Sequence, residues 1–241
     1  MVNLSDKNMT EGGLQKMDVD RIPLTFADRI ETVTLGMGCF WSPEALFGHL
    51  PGVVRTRVGY AGGTSPNPTY REMGDHTETV EIGFDPARLR LETIVRLFRN
   101  SHTPANINGY KGRQYHSLLL YRDERQRETM EKALVSWREE RGELAAGTEG
   151  ETELAPLRAF YVAEDRHQKY YLKRYRDAVG KLRGLYPRDP GGGLDSTLAA
   201  RLNGIAKGYA NLRAVREEIE SWPASPEQKR EIVRAIEAIR W

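Results

Sequence analysis

A single cysteine, Cys39, stands between Gly38 and the aromatic pair Phe40-Trp41, where an alternating stretch gives way to a helix-start pattern. Helix N-termini present unpaired amides and a partial positive charge, which stabilise a thiolate and lower its pKa. A thiolate there is a nucleophile, with Gly38 leaving room for another molecule to approach. A lone cysteine is also commonly a small buried hydrophobe, and Cys39 alone leaves both readings open. Glu78 is the second candidate. It shares a strand face with Val80, Ile82 and Phe84. A carboxyl on that face is desolvated, its pKa rises, and in its neutral form it can give a proton. If Glu78 lies at the strand's end, where the apolar face meets water, it is an ordinary carboxylate. Tyr70 and Tyr115 fall at loop-strand edges, where a phenol can hydrogen-bond a ligand oxygen. Tyr60, Tyr110 and Tyr121 could do the same, and tyrosines also pack with satisfied hydroxyls. The histidines are His49, His76, His102, His116 and His167, and no two have the i, i+4 spacing of a helical metal motif. A metal site is therefore unsupported, and no glycine-rich strand-turn-helix phosphate motif occurs.

These side chains need elements to hold them. Val33, Leu35 and Met37 alternate with polar or small residues and predict a half-buried strand over Glu31–Met37. Ser42-Pro43-Glu44 predicts a helix capped by Ser42, with Leu46, Phe47 and Leu50 buried, stopped by Pro51-Gly52. Strands are expected over Val53–Tyr60, Thr77–Phe84, Gln114–Tyr121 and Phe160–Val162. Leu91, Ile94, Val95 and Phe98 mark one amphipathic helix, and Met130, Ala133, Leu134 and Trp137 another. Residues 62–68 and 100–113 read as loops, Arg141–Thr152 as a surface turn, and Glu164–Val179 as a helix. Alternating strands and helices predict an α/β or α+β sandwich. Residues 1–25 read as a loose arm and 26–188 as the catalytic domain. Residues 189–241 read as a helical extension that begins at the glycine-rich linker Asp189–Gly193. In the extension, Leu194, Leu198, Leu202 and Ile205 form a stripe that either packs on the catalytic domain and partly limits access to Cys39 or gives plain structural support.

Composition narrows the function classes. The chain has 241 residues, 39% hydrophobic and 29% charged, as expected of a soluble globular protein. No run of about 18 apolar residues suggests a membrane span. The formal charge is only +2, without a basic stripe, which argues against nucleic acid as partner. The first residues lack the pattern of a secretion signal, so a reducing cytoplasm is the expected location, where one cysteine stays a thiol. With one cysteine in the sequence, neither an intramolecular disulfide nor a cysteine-built zinc site can form.

Several segments together carry a resemblance. They are Gly38-Cys39-Phe40-Trp41 with Glu44, Leu50-Pro51-Gly52-Val53, Gly59-Tyr60-Ala61-Gly62-Gly63, Asn67-Pro68-Thr69-Tyr70 and His76-Thr77-Glu78. Gly112-Arg113-Gln114-Tyr115, Ala163-Glu164-Asp165 and His167-Gln168-Lys169-Tyr170-Tyr171 follow in order. Over about residues 30–175 the chain resembles the type A peptide methionine-S-sulfoxide reductases. The resemblance implies a two-layer α/β roll around a mixed sheet, with the nucleophile at the first helix start and no cofactor. It implies that Cys39 attacks the sulfoxide sulfur, that Glu78 gives a proton to the departing oxygen, and that Tyr70 and Tyr115 hold that oxygen. Phe40 and Trp41 would enclose the S-methyl group, and Tyr110 would lie in the substrate region. Attack leaves a sulfenic acid on Cys39 and releases methionine.

The sequence departs from that family in three places. No second cysteine is available to resolve the sulfenic acid, so an external thiol is expected: thioredoxin, glutaredoxin or glutathione. Tyr110, followed by Lys111, stands where the family usually has an acidic residue. The loop from Tyr70 to Glu78 is shorter by a few residues, so the rim should differ. Two other readings follow from the same residues. One is a redox sensor on this fold, or a divergent reductase of other methyl sulfoxides. The other is a Cys-His hydrolase with His102 or His116 as base.

Overall fold

The computed structural model describes residues 22–140 and 151–241. The expected arm up to residue 21, and the expected turn over 141–150, lie outside the described residues. Six strands form one mixed sheet: β1 (Glu31–Met37), β2 (Val53–Ala61), β3 (Thr77–Phe84), β4 (Ser117–Tyr121), β5 (Glu153–Pro156) and β6 (Phe160–Val162). Their order is β5-β4-β1-β3-β2-β6. All pairings are antiparallel except β4 with β5. β3 is central, which is why all eight of its residues are buried.

The helices are α1 (Trp41–Gly48), α2 (Leu91–Asn100), a short α3 (Pro104–Ile107), α4 (Glu124–Glu140), α5 (Tyr170–Lys173), α6 (Arg176–Leu185), α7 (Thr197–Lys207), α8 (Leu212–Glu220) and α9 (Pro226–Glu237). None among the described residues is long and apolar enough to cross a membrane. The predicted stripe of α2 is buried as its spacing requires. It packs with Phe47, Met130 and the apolar residues of β1 and β3 into the main core.

Local differences from the expected elements have physical causes. α1 begins at Trp41, with Phe40 at the capping position, not at Ser42-Pro43. The Ser42 hydroxyl instead hydrogen-bonds the Tyr171 hydroxyl at 2.8 Å. β5 was not expected; its four residues carry too little alternation to stand out. The strand expected from Gln114 starts at Ser117, because 113–116 form a turn in which the His116 amide bonds the Arg113 carbonyl. The single helix expected over Glu164–Val179 is broken into a 3-10 turn (Asp165–His167), α5 and α6. Lys169 sits between them with a left-handed φ of 51°.

That strained lysine is held by a buried ion pair. Its ammonium lies 2.8 Å from Glu44 Oε1 and also donates to the Thr56 carbonyl at 2.6 Å. Its backbone amide donates to Glu44 Oε2 at 2.8 Å. A buried pair adds little net stability, since desolvation offsets attraction, but it fixes geometry. Here it ties α1 to the segment before α5 and to β2.

The C-terminal helices share a second core with the rest of the chain. Leu172, Ala178, Leu182 and Leu185 pack with Leu198, Leu202, Ile219, Trp222, Ile232 and Ile236. Ile22 is buried in the same cluster, and Phe26 stacks on Trp222 at 4.6 Å. The segment read as a linker is a folded turn: Asp189 Oδ2 accepts from the Gly193 amide at 2.7 Å. α7 runs against the back of α1, where a methyl group at Gly48 would meet the Ala200 carbonyl at 2.9 Å. Arg201, 1% exposed, is the lock. It donates to the carbonyls of Gly48 and Val53 at 2.6 and 2.8 Å and to both carboxylate oxygens of Glu218 at 2.6 and 2.7 Å. Replacing Arg201 by Ala should therefore take the donor from two buried carbonyls, leave the half-buried Glu218 carboxylate with the Trp222 indole at 3.4 Å, and cost about 3–5 kcal/mol in urea unfolding. A loss under about 1 kcal/mol, the value of an exposed pair, would show that this lock is not structural.

Candidate active site

β1 ends at Met37, and the chain turns back through Gly38 at φ 91°, a conformation that favours glycine. The turn delivers Cys39 to the start of α1 with its side chain exposed. Glu78, one residue into β3, faces it. Glu78 is 1% exposed, so it is not the solvated strand end that the sequence left open. Its Oε2 accepts from the Phe40 amide at 3.1 Å, and its Oε1 from Gln114 Nε2 at 2.9 Å. The Cys39 thiol neighbours the same carboxyl, close enough for the carboxyl's charge to act on the sulfur.

Burial raises the Glu78 pKa above the ordinary carboxylate range. The bonds from Gln114 and Phe40, the neighbouring Cys39 thiol and the charge of Lys111 oppose that rise without cancelling it. The thiol corrects the sequence reading. Desolvation pushes it above its usual value, and the Glu78 carboxyl pushes it further. A hydrogen bond from the Trp41 amide is the helix-start effect expected, but it is outweighed. Cys39 is thus not a low-pKa thiolate in isolation. It is half of a pair.

Tyr115 and Tyr70 complete the cluster. Their phenol groups neighbour each other. Burial, then the Glu78 charge, raises the Tyr115 pKa, so its phenol stays a donor. Tyr70 is set by the loop between β2 and β3. In that loop Asp75 accepts from the amides of Thr64 and Ser65 at 2.8–2.9 Å, and His76 Nδ1 accepts from the Gly63 amide at 3.1 Å. The Tyr70 amide donates to Glu164 Oε1 at 3.2 Å, while Glu164 Oε2 accepts from the Tyr60 hydroxyl at 2.6 Å.

The two aromatics after Cys39 differ in position. Phe40 is 1% exposed and packs among Val58, Tyr60 and Ala163. Trp41 is half-buried and stacks on Tyr170 at 3.7 Å with ring planes 2° apart. Its Nε1 donates to His167 Nδ1 at 3.3 Å. Tyr110 is 60% exposed and lies over Tyr115 at 5.8 Å. Tyr121 lies at the end of β4, where the sheet continues into β5.

Three residues without an expected role shape this site. Gln114 grips Glu78 twice, since its backbone carbonyl also accepts from the Glu78 amide at 2.9 Å. His167, 4% exposed, lies 4.7 Å from the Tyr70 ring and 5.4 Å from Phe40. Lys111 acts on Glu78 through its charge. Gln114 and His167 lie in the family-like segments and Lys111 just before one, but no local pattern marks partners so far apart in the chain. The histidines proposed as hydrolase bases are engaged elsewhere. His102 bonds the Phe98 carbonyl at 2.9 Å and Ser117 Oγ at 2.7 Å, and His116 faces Glu153 at 3.5 Å.

Residues 31–183 match the family described as peptide methionine sulfoxide reductase. A Drosophila melanogaster protein named peptide methionine sulfoxide reductase is 40% identical over 199 residues, covering 82% of this chain and 77% of its own length. A Sulfolobus acidocaldarius protein named peptide methionine sulfoxide reductase MsrA is 38% identical, covering 60% of this chain and 83% of its own. Among solved structures, methionine sulfoxide reductase A of Corynebacterium diphtheriae is similar at 35% identity and a TM-score of 0.51, over 60% of this chain and 74% of that one. Reduced Mxr1 from Saccharomyces cerevisiae, at 24% identity and a TM-score of 0.52 over 64% and 88%, shares the fold.

The charge coupling between Cys39 and Glu78 can be read from alkylation. In Glu78→Gln the negative charge that raises the thiol pKa is gone. The midpoint of iodoacetamide alkylation at Cys39 should move to lower pH. A midpoint that stays or rises would show that the carboxyl does not act on the sulfur.

Proposed function

We propose that this chain, which belongs to the peptide methionine sulfoxide reductase family, reduces methionine sulfoxide with Cys39 and Glu78 acting as one proton-sharing pair. The observation that carries the proposal is the buried Glu78 carboxyl, held by the amide of the residue that follows Cys39, beside an exposed thiol. Both groups are raised, so over a range of pH the pair holds one proton. That proton can sit on sulfur or on oxygen, and its titrations belong to the pair. The form with thiolate and neutral acid has what the reaction needs on both sides.

Cys39 sulfur forms a bond to the sulfoxide sulfur. Glu78 protonates the sulfoxide oxygen, a poor leaving group without it. The hydroxyls of Tyr115 and Tyr70 donate to that oxygen as charge grows on it. The oxygen transfers to Cys39, giving a sulfenic acid, and methionine departs; atoms and protons balance as Cys-SH plus sulfoxide to Cys-SOH plus thioether. Trp41 forms the wall for the S-methyl group, with Phe40 behind it, and an aromatic edge beside a sulfur-bound methyl is favourable. With oxygen, methyl and Cys39 each assigned a side, one epimer fits, which we take to be S. The sulfenic acid is then attacked by an external thiol, releasing water and leaving a mixed disulfide. A second thiol frees Cys39. Thioredoxin is the donor we propose first, with glutaredoxin or glutathione as alternatives, in a reducing cytoplasm.

Incubation with each epimer of a blocked methionine sulfoxide and dithiothreitol should consume the S epimer only, and Cys39→Ser should abolish the reaction. Glu78→Gln should lower kcat/KM by about 10²–10⁴, the range of a lost general acid. The profile of kcat/KM against pH should be a bell. Its acid limb should lie above the ordinary glutamate range and its alkaline limb above the ordinary cysteine range, since both groups are raised. Consumption of both epimers, or full activity in Glu78→Gln, would contradict these roles.

A further inference from the structure

The rim of the site carries a charge whose action described so far is only at a distance, on Glu78. Residues 109–112 form a tight turn, closed by a bridge between Gly109 and Gly112, with left-handed φ at Gly109, Lys111 and Gly112. The turn pushes Tyr110 and Lys111 outward. Lys111 Nζ stands 5.8 Å from the Tyr110 ring centroid and 5.9 Å from that of Tyr115, within cation–π range of both. The lysine therefore stands over the same ring whose hydroxyl is assigned to the sulfoxide oxygen. No carboxylate among the described residues lies within ion-pair distance of it. On the other side, Arg166 stands 5.9 Å from the Tyr70 centroid, but it is already engaged with Glu164 at 3.4 Å and His167 at 3.1 Å. Of the two cations flanking the paired tyrosines, Lys111 is the one left for a ligand.

We propose that Lys111 is a specificity-determining residue that binds a carboxylate carried by the substrate close to its sulfoxide. The carboxylate is either an Asp or Glu side chain beside the oxidised methionine or the α-carboxylate of free methionine sulfoxide. The inference rests on the reading that the sulfoxide is reduced at Cys39, because only then does Tyr115 define where the substrate lies. An exposed lysine attracts an anion modestly and more strongly at low salt. Its effect belongs in KM, because the carboxylate is bound equally before and during oxygen transfer.

The test compares blocked pentapeptides with a central methionine-S-sulfoxide flanked by Gly, Glu or Lys. Free methionine-S-sulfoxide and its carboxamide form a second arm. The native protein should favour the Glu-flanked peptide over the Gly-flanked one, or the free acid over the carboxamide, by about three- to fivefold in kcat/KM, the size exposed charge pairs support. The arm in which the preference occurs identifies the source of the carboxylate. Lys111→Glu should invert that preference through KM, Lys111→Arg should retain it, and added salt should flatten it. Turnover of the Gly-flanked peptide with no charge preference in either arm would overturn this inference alone. So would a preference that Lys111→Glu leaves in place. Failure to turn over any substrate would overturn the assignment of Cys39 as well.

Discussion

A carboxyl withdrawn from water and set against a thiol is the constraint on which the rest of the site depends. Neither group ionises easily there. Desolvation opposes the charge on Glu78 and on Cys39, and each negative charge would oppose the other. The chain leaves the pair polar by supplying donors: the Phe40 amide, the Gln114 side chain, the Trp41 amide at the sulfur. Those donors keep a buried acid from being merely an unsatisfied group, and they hold it where a protonated oxygen would leave.

The surrounding architecture serves that contact. β3 supplies Glu78 from the middle of the sheet, β1 ends in the turn that presents Cys39, and the 113–116 turn clamps Glu78 from the far side. The broken helix after β6 is equally purposeful. Gln168 bonds the Val58 amide at 3.0 Å and the Val58 carbonyl at 2.9 Å, and Lys169 reaches Glu44, so His167 and Tyr170 are fixed against the aromatic wall. A continuous helix over Glu164–Val179 could not place them so. The C-terminal helices act one layer further out. Arg201 and the close Gly48–Ala200 approach brace α1 from behind, and Lys207 stands 4.7 Å from the Tyr171 ring, whose hydroxyl bonds Ser42.

Much of this was legible in the residues. Alternation located β1 and β3, and the i, i+3, i+4 stripe located α2, because both patterns are set by which face is buried. Cys39 and Glu78 stood out as a thiol at a helix start and a carboxyl on an apolar face. Less legible was everything decided by distant partners. The cap at Ser42 was lost to Tyr171, far along the chain. The break at Lys169 depends on Glu44, and Gln114 looks like any strand amide until Glu78 is beside it. The direction of the Cys39 pKa was misread because the helix start is local in sequence while Glu78 is not. The type A reductase motifs carried the assignment of roles further than periodicity could.

A direct measurement of the central contact is a carbon-13 NMR titration of the Glu78 carboxyl and the Cys39 β-carbon in the native protein. The pair described here requires the carboxyl to titrate above the ordinary glutamate range, with the cysteine signal moving at that same midpoint as well as at its own, higher one. A Glu78 that titrates at or below the ordinary range, with Cys39 unmoved, would contradict a shared proton between them.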